Sequence, residues 1–152
     1  MQTRREMLAQ SAAVAGLLAA AGMLPAAALA AWNKAAFEAK TLADLAKAMG
    51  GSAPQASAEV TLSGPDIAEN GAVVPLGAAS SAAGVKQLLL LVEKNPNLLA
   101  AAFELTDAVE ANVSTRVKMS QSSDVYAVAM MADGRMLFAK KEIKVTLGGC
   151  GG

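Results

Sequence analysis

The sequence predicts a mainly β domain: an immunoglobulin-like antiparallel β-sandwich with a short helical N-terminus and a flexible C-terminal arm. Three observations carry this. From Val60 onward the apolar residues alternate or run in short blocks of strand length, turn signals recur between the blocks, and no helical period intervenes. An open barrel of the same strands is the alternative that such a pattern leaves open.

The helical part comes first, over residues 32–49. Trp32, Ala36 and Phe37, then Leu42, Leu45, Ala46 and Met49, recur at three- and four-residue spacing, with Lys34, Glu38, Lys40 and Lys47 between them. Thr41 followed by Asp44 reads as a cap that restarts the helix, and Gly50-Gly51 ends it. Trp32 and Phe37 could meet a ligand, but their spacing fits packing against a sheet.

Val60 and Leu62 alternate with Glu59, Thr61 and Ser63, and Gly64-Pro65-Asp66 closes that strand. Glu69-Asn70-Gly71 turns the chain into Val73-Val74-Pro75-Leu76, where the proline implies an edge strand or a bulge, because it has no N–H to give a ladder. Val85–Val92 holds four consecutive leucines and is apolar on both faces, so it needs two covers: an opposing sheet on one side, and the N-terminal helix or a partner protein on the other. Part of this surface, or that of Val125–Met131, is expected to be buried by a partner. Asn95-Pro96-Asn97 turns into a strand over residues 98–105. Val113, Thr115, Val117 and Met119 face one way on the next strand and Asn112, Ser114, Arg116 and Lys118 the other. Val125–Met131 is again apolar on both faces, Asp133-Gly134 is a hairpin signal, and residues 136–138 and 142–147 lead into the tail. Seven strands are expected. Arg116, Lys118, Lys140, Lys141 and Lys144 either collect near the root of the tail and attract an anion or stay scattered and solvated.

Composition excludes several chemistries. The chain has 152 residues and no histidine, which rules out Ser-His-Asp and Cys-His catalysis, c-type haem attachment and histidine-based metal sites. Residues 1–30 read as a cleaved export signal: adjacent Arg4 and Arg5 resemble the twin-arginine type, an Ala/Leu-rich run follows, and Ala28-Leu29-Ala30 fits the small-x-small cleavage pattern. A retained membrane anchor fits less well, because Gly16, Gly22 and Pro25 interrupt the run. Removal of this segment leaves a mature chain from Ala31 with 11 basic and 12 acidic residues, net −1. That balance, with aromatics at 3%, carries no nucleic-acid footprint and no basic membrane patch. The twin-arginine route exports folded proteins, often with a cofactor or partner bound; with no cofactor or metal site in the sequence, a partner is expected.

The sole cysteine lies in the tail Gly148-Gly149-Cys150-Gly151-Gly152, which has no other side chains. A thiol so placed has no apolar neighbours, no second cysteine for an internal disulfide and no co-ligands for a metal. Fully extended, Leu147 to Cys150 spans about 10 Å, enough to put the sulfur into another protein's active site. An unassisted cysteine has a pKa of about 8.5, so only a few per cent is thiolate at neutral pH and activation has to come from the site that receives it. The thiol is free, loaded, or joined to another molecule; a disulfide-linked dimer through Cys150 is one form, and the carboxylate of the terminal Gly-Gly is a second conceivable attachment point. Neither histidine nor a metal constellation accompanies the thiol, so a non-catalytic role is expected.

Four stretches, residues 67–75 (IAENGAVVP), 92–97 (VEKNPN), 113–118 (VSTRVK) and the GGCGG tail, resemble SoxY, the sulfur-carrier family of the periplasmic thiosulfate-oxidising Sox system. The resemblance covers essentially the whole chain. It implies an Ig-like fold, a heterodimer with SoxZ, and Cys150 as the covalent carrier of thiosulfate-derived sulfur on an arm made flexible by Gly148, Gly149, Gly151 and Gly152. It implies transient partners as well: a SoxAX-type haem enzyme that oxidatively joins thiosulfate to the thiol, SoxB, which hydrolyses off sulfate, and, where present, a SoxCD-type dehydrogenase.

Overall fold

The computed structural model describes Met7 and residues 33–147. The export signal over 1–30, Met7 apart, Ala31, Trp32 and the tail over 148–152 lie outside the described residues.

Two short helices open the described chain, α1 (Lys34–Glu38) and α2 (Leu42–Met49). The side chain of Asn33 caps the first by accepting from Ala36 N at 3.0 Å, and its amide donates to Ala48 O at 2.9 Å, so one residue ties the start of α1 to the end of α2. Thr41 caps α2 as its sequence predicts, accepting from Asp44 N at 3.1 Å. Gly50 ends it at φ 70, a left-handed conformation that glycine adopts without a Cβ penalty.

Nine strands follow among the described residues: β1 (Gln55–Ala56), β2 (Val60–Ser63), β3 (Ile67–Ala68), β4 (Val74–Ser80), β5 (Val85–Val92), β6 (Leu99–Glu104), β7 (Asn112–Val117), β8 (Ser123–Met131) and β9 (Met136–Val145). One sheet has the order β1-β9-β8-β5-β6 with β3 also on β9, and the other has the order β2-β4-β7. The two pack as the expected Ig-like sandwich. Two features refine the expectation: residues 136–145 form one continuous strand, and the two-residue strands β1 and β3 both pair with the outer edge of β9 in parallel. Neither short strand has enough alternation to be read from sequence.

Pro75 corrects another expectation, since β4 is the central strand of its sheet and not an edge. Its pairing with β2 begins only at Gly77 opposite Ser63, so β4 has no neighbour on that side at Pro75 and the missing N–H removes no ladder bond.

β5 decides how the layers stack. Leu88, Leu90 and Val92 point into the sandwich with Val74, Leu76, Val125 and Ile143, while Leu89 and Leu91 point outward to Leu45, Ala46, Leu98 and Val128. All five of these β5 side chains are fully buried. Burying a leucine contributes roughly 1.5–3 kcal/mol, and domains are stable by only about 5–15 kcal/mol, so leaving the outward set in water would remove much of the total. α1 and α2 supply that cover. Of the two covers open in the sequence, the chain's own helices take the outer face of β5, so Leu89 and Leu91 are not free for a partner, while Tyr126 and Met130 of β8 stay half-buried. Phe37, like the rest of the helical apolar face, packs against the sheet.

If the helices are the cover, Leu45→Ala should destabilise the whole domain by about 2–5 kcal/mol, because Leu45 is fully buried against β5. Urea unfolding followed by far-UV circular dichroism checks this. A loss below 1 kcal/mol, by contrast, would mean that the outer face is covered by something else.

Candidate functional site at the root of the C-terminal tail

β9 brings the tail to one end of the sandwich, and every neighbouring segment holds its last residues. The regular pairing with β8 reaches Ser123 opposite Ile143. Beyond it, Val145 N donates to Ser122 Oγ at 2.9 Å, so a side chain continues the ladder where the strand partner has ended. On the opposite edge Ile67 and Ala68 run beside Lys144 and Val145. Lys144 N donates to Asp66 O at 2.9 Å and Thr146 N to Ala68 O at 3.1 Å, while Thr146 Oγ1 donates to Glu69 O at 3.0 Å. Last, Gly71 N donates to Leu147 O at 2.8 Å, and Gly71 O accepts from Met119 N at 2.7 Å. The chain is thus pinned on both edges as far as Val145, and on the β3 side through Leu147, the position immediately before the glycines.

The loop that carries Met119 is fixed in turn by Asn95. Its amide donates to Lys118 O at 2.7 Å and its oxygen accepts from Ser120 N at 3.1 Å. The turn Asn95-Pro96-Asn97 therefore does more than reverse direction, for it locks the β7–β8 connection beside the root. Lys40 Nζ donates to Pro96 O at 2.6 Å and joins the same turn to the segment between the helices. Ser122, Thr146 and Ser120 carried no signal in the sequence, because a serine or threonine that bonds backbone far along the chain looks like any polar loop residue. Asn95 and Gly71 lay inside recognised turn motifs, though their long-range partners did not show.

The basic residues divide. Lys140 pairs with Asp124 at 2.8 Å, which raises the lysine's pKa, and Lys141 pairs with Asp66 at 2.8 Å while donating to Gly64 O at 2.7 Å. Arg116, Lys118 and Lys144 are exposed and form no ion pair among the described residues. Of the two readings, the scattered one holds for Lys140 and Lys141, which are already neutralised. Arg116 and Lys118 line a cleft of about 430 Å³ between the free edges of β6 and β7, on the side of Asn95. Among the described residues no group of three or more His, Cys, Asp or Glu could hold a metal ion, and no helix is long and apolar enough to cross a membrane. Cys150 and the four tail glycines lie outside the described residues; what the structure fixes is the point from which they depart.

The comparisons with known proteins fit this architecture. The sulfur carrier protein SoxY from Chlorobium limicola f thiosulfatophilum is similar over 68% of this chain and 93% of its own, at 29% identity and a TM-score of 0.60. A superoxide reductase (neelaredoxin) from Ignicoccus hospitalis shares the fold at 18% identity and a TM-score of 0.50, over 57% of this chain and 79% of that one. No curated protein matches the chain. The class so defined is an Ig-like β-sandwich of the sulfur-carrier kind. The family model described as sulfur oxidation protein SoxY matches residues 45–150, which run from α2 to the tail cysteine. The chain belongs to the SoxY family of sulfur oxidation proteins.

Two measurements test the root. Ser122→Ala removes one hydrogen bond of about 0.5–1.5 kcal/mol, so the Val145 amide should exchange with deuterium roughly 2- to 12-fold faster while amides of β5 stay unchanged; equal protection of Val145 would show that Ser122 does not hold β9. The second uses pH. The hydrogen bond to Lys141, then its charge, hold Asp66 below the ordinary carboxylate range. A lowered folded-state pKa gives stability that is complete above the ordinary aspartate value and is lost as pH falls through the lowered one. The urea midpoint of the wild type should therefore exceed that of Asp66→Asn at pH 6 and converge on it by about pH 2; a gap that persists at low pH would assign the effect to something other than this pair.

Proposed function

We propose that the protein is a covalent sulfur carrier: Cys150, on the glycine tail, takes up thiosulfate-derived sulfur and presents it to enzymes during oxidation of thiosulfate to sulfate. The family membership and the resemblance at GGCGG support this reading, and the single observation that carries it is the one cysteine of the chain placed three residues beyond a root pinned through Leu147. Such a root keeps the search volume of the sulfur small, since a tether of about 10 Å sweeps little space.

The chemistry balances with enzymes as the active parties. A haem enzyme of the SoxAX type removes two electrons and a proton as thiosulfate joins the thiol, giving Cys150–S–S–SO3⁻. Water then cleaves the terminal sulfone on SoxB, releasing sulfate and a proton and leaving Cys150 with one sulfane sulfur, which a SoxCD-type dehydrogenase oxidises where it is present. The chain itself supplies position and a thiol that stays mostly protonated between visits. The twin-arginine-like segment supports a periplasmic cycle and export as a folded complex with SoxZ.

In a reconstituted thiosulfate-oxidising system Cys150→Ser should abolish turnover, and mass spectrometry of the C-terminal peptide should find the adduct on Cys150 of the wild type alone. Turnover that survives the substitution would refute the carrier reading, and an adduct on the Gly152 carboxylate would move the attachment point.

A further inference from the structure

Large apolar side chains that remain in water are few here, and most of them gather at one end. Among the described residues they are Met7, Ile67, Val73, Val109 and Leu147, exposed by 52–68%. Val109 sits at the far end, beside the start of β7. Ile67, Val73 and Leu147 belong to the root of the tail. Ile67 stands opposite Lys144 on the β3–β9 ladder, Leu147 is bonded through its carbonyl to Gly71, and Val73 lies two residues further along that loop, closed into its turn by the bond from Val73 N to Asn70 O. The backbone that exposes them is not loose, because it is held by the hydrogen bonds that pin β9. Val109 apart, the large aliphatic residues of the sandwich that stay in water are these three, at the end where its tail departs.

The length of the tail says what must cover them. Two glycines separate Leu147 from Cys150, so three backbone steps put the Cys150 backbone no more than about 10 Å from the root. An enzyme whose reacting centre is recessed by most of that reach then has to bring the rim of its mouth down onto Ile67, Val73 and Leu147 before the thiol can reach that centre. We infer that these three residues form the seat on which the receiving enzymes dock, and that the complementary surface is an apolar rim around the active-site mouth of each enzyme that loads or unloads Cys150. The inference rests on the carrier reading above and adds the surface through which that carrier is recognised. An apolar seat suits one arm that visits several enzymes, since apolar contact is non-directional and tolerates different rims.

The test compares Ile67→Ser/Val73→Ser with the wild type and with Val109→Ser, which removes an equally exposed apolar residue at the other end. Each protein, in its native assembly, is titrated as the substrate of the purified haem enzyme that loads Cys150 with thiosulfate. The double variant should raise KM about tenfold with kcat unchanged, and the shift should persist in 0.5 M salt, which screens charges and spares apolar contact. Val109→Ser should match the wild type, and all three should react equally fast with a small aromatic disulfide, showing the thiol itself unaltered. Leu147→Ser, beyond the last ladder residue, serves as a second variant if the double substitution disturbs the fold. An unchanged KM in either variant overturns the seat. So does loss of the partner subunit from the variant, which would make this face a subunit interface. A wild-type carrier that gains no adduct defeats the carrier reading instead, so the two failures are distinguishable.

Discussion

β5 has to be dry on both sides, and the remaining architecture follows from that constraint. Its inward leucines call for an opposing sheet, which β2, β4 and β7 provide, and its outward leucines call for a second layer, which α1 and α2 provide. Because β8 is the neighbour of β5 and is apolar on both faces for the same reason, it shares both covers. β9 then takes the outer side of β8 and runs its full length to the end where the helices' connecting segment, the β5–β6 turn and the β7–β8 loop are bonded together. The position of the root at Leu147 is thus a consequence of how two central strands are kept from water.

The hydrogen-bonded backbone reaches the residue before the first glycine of the tail. Through Leu147 the backbone is bonded to β3, to Ser122 or to Gly71, and from Gly148 on the sequence has no side chain except the thiol. A tether works best when its slack is short and its origin fixed, because the effective concentration of a tethered group falls as the accessible volume grows. The root's polar devices are directed mainly at backbone: Ser122, Asn95 and Thr146 bond main-chain atoms of distant segments. They hold the departure point through side chains that carry no charge.

Much of this was legible in the sequence, and the losses have identifiable causes. β5 and β2 match their expected spans, and β8 lies within two residues of its own, because an uninterrupted apolar block or a clean alternation admits one register. The Thr41 cap and the Gly50 stop were read correctly, since capping chemistry is local. β1 and β3 were missed because two residues hold no period. Pro75 was misread as an edge signal because whether a proline costs a hydrogen bond depends on where the neighbouring strand stops, and β2 stops at Ser63. The outer face of β5 was open between two covers because an amphipathic helix and a partner protein satisfy the same apolar demand, and sequence does not say which one arrives.

The sequence by itself determined that this is a domain of short strands, a sandwich or a small open barrel, with a lone thiol among glycines, since periodicity, turn chemistry and composition are read from consecutive residues. Only the tertiary structure decided what surrounds the point of departure. Ser122, Asn95, Gly71 and Ile67 are distant from Leu147 in the chain and are brought to it by the pairing of β9 with β8 on one side and β3 on the other. Contacts of that kind arise from the folding of layers onto one another. The exposure of Ile67, Val73 and Leu147 is decided in the same way, because an aliphatic residue in a strand pattern reads as buried until the layers show which end is left uncovered.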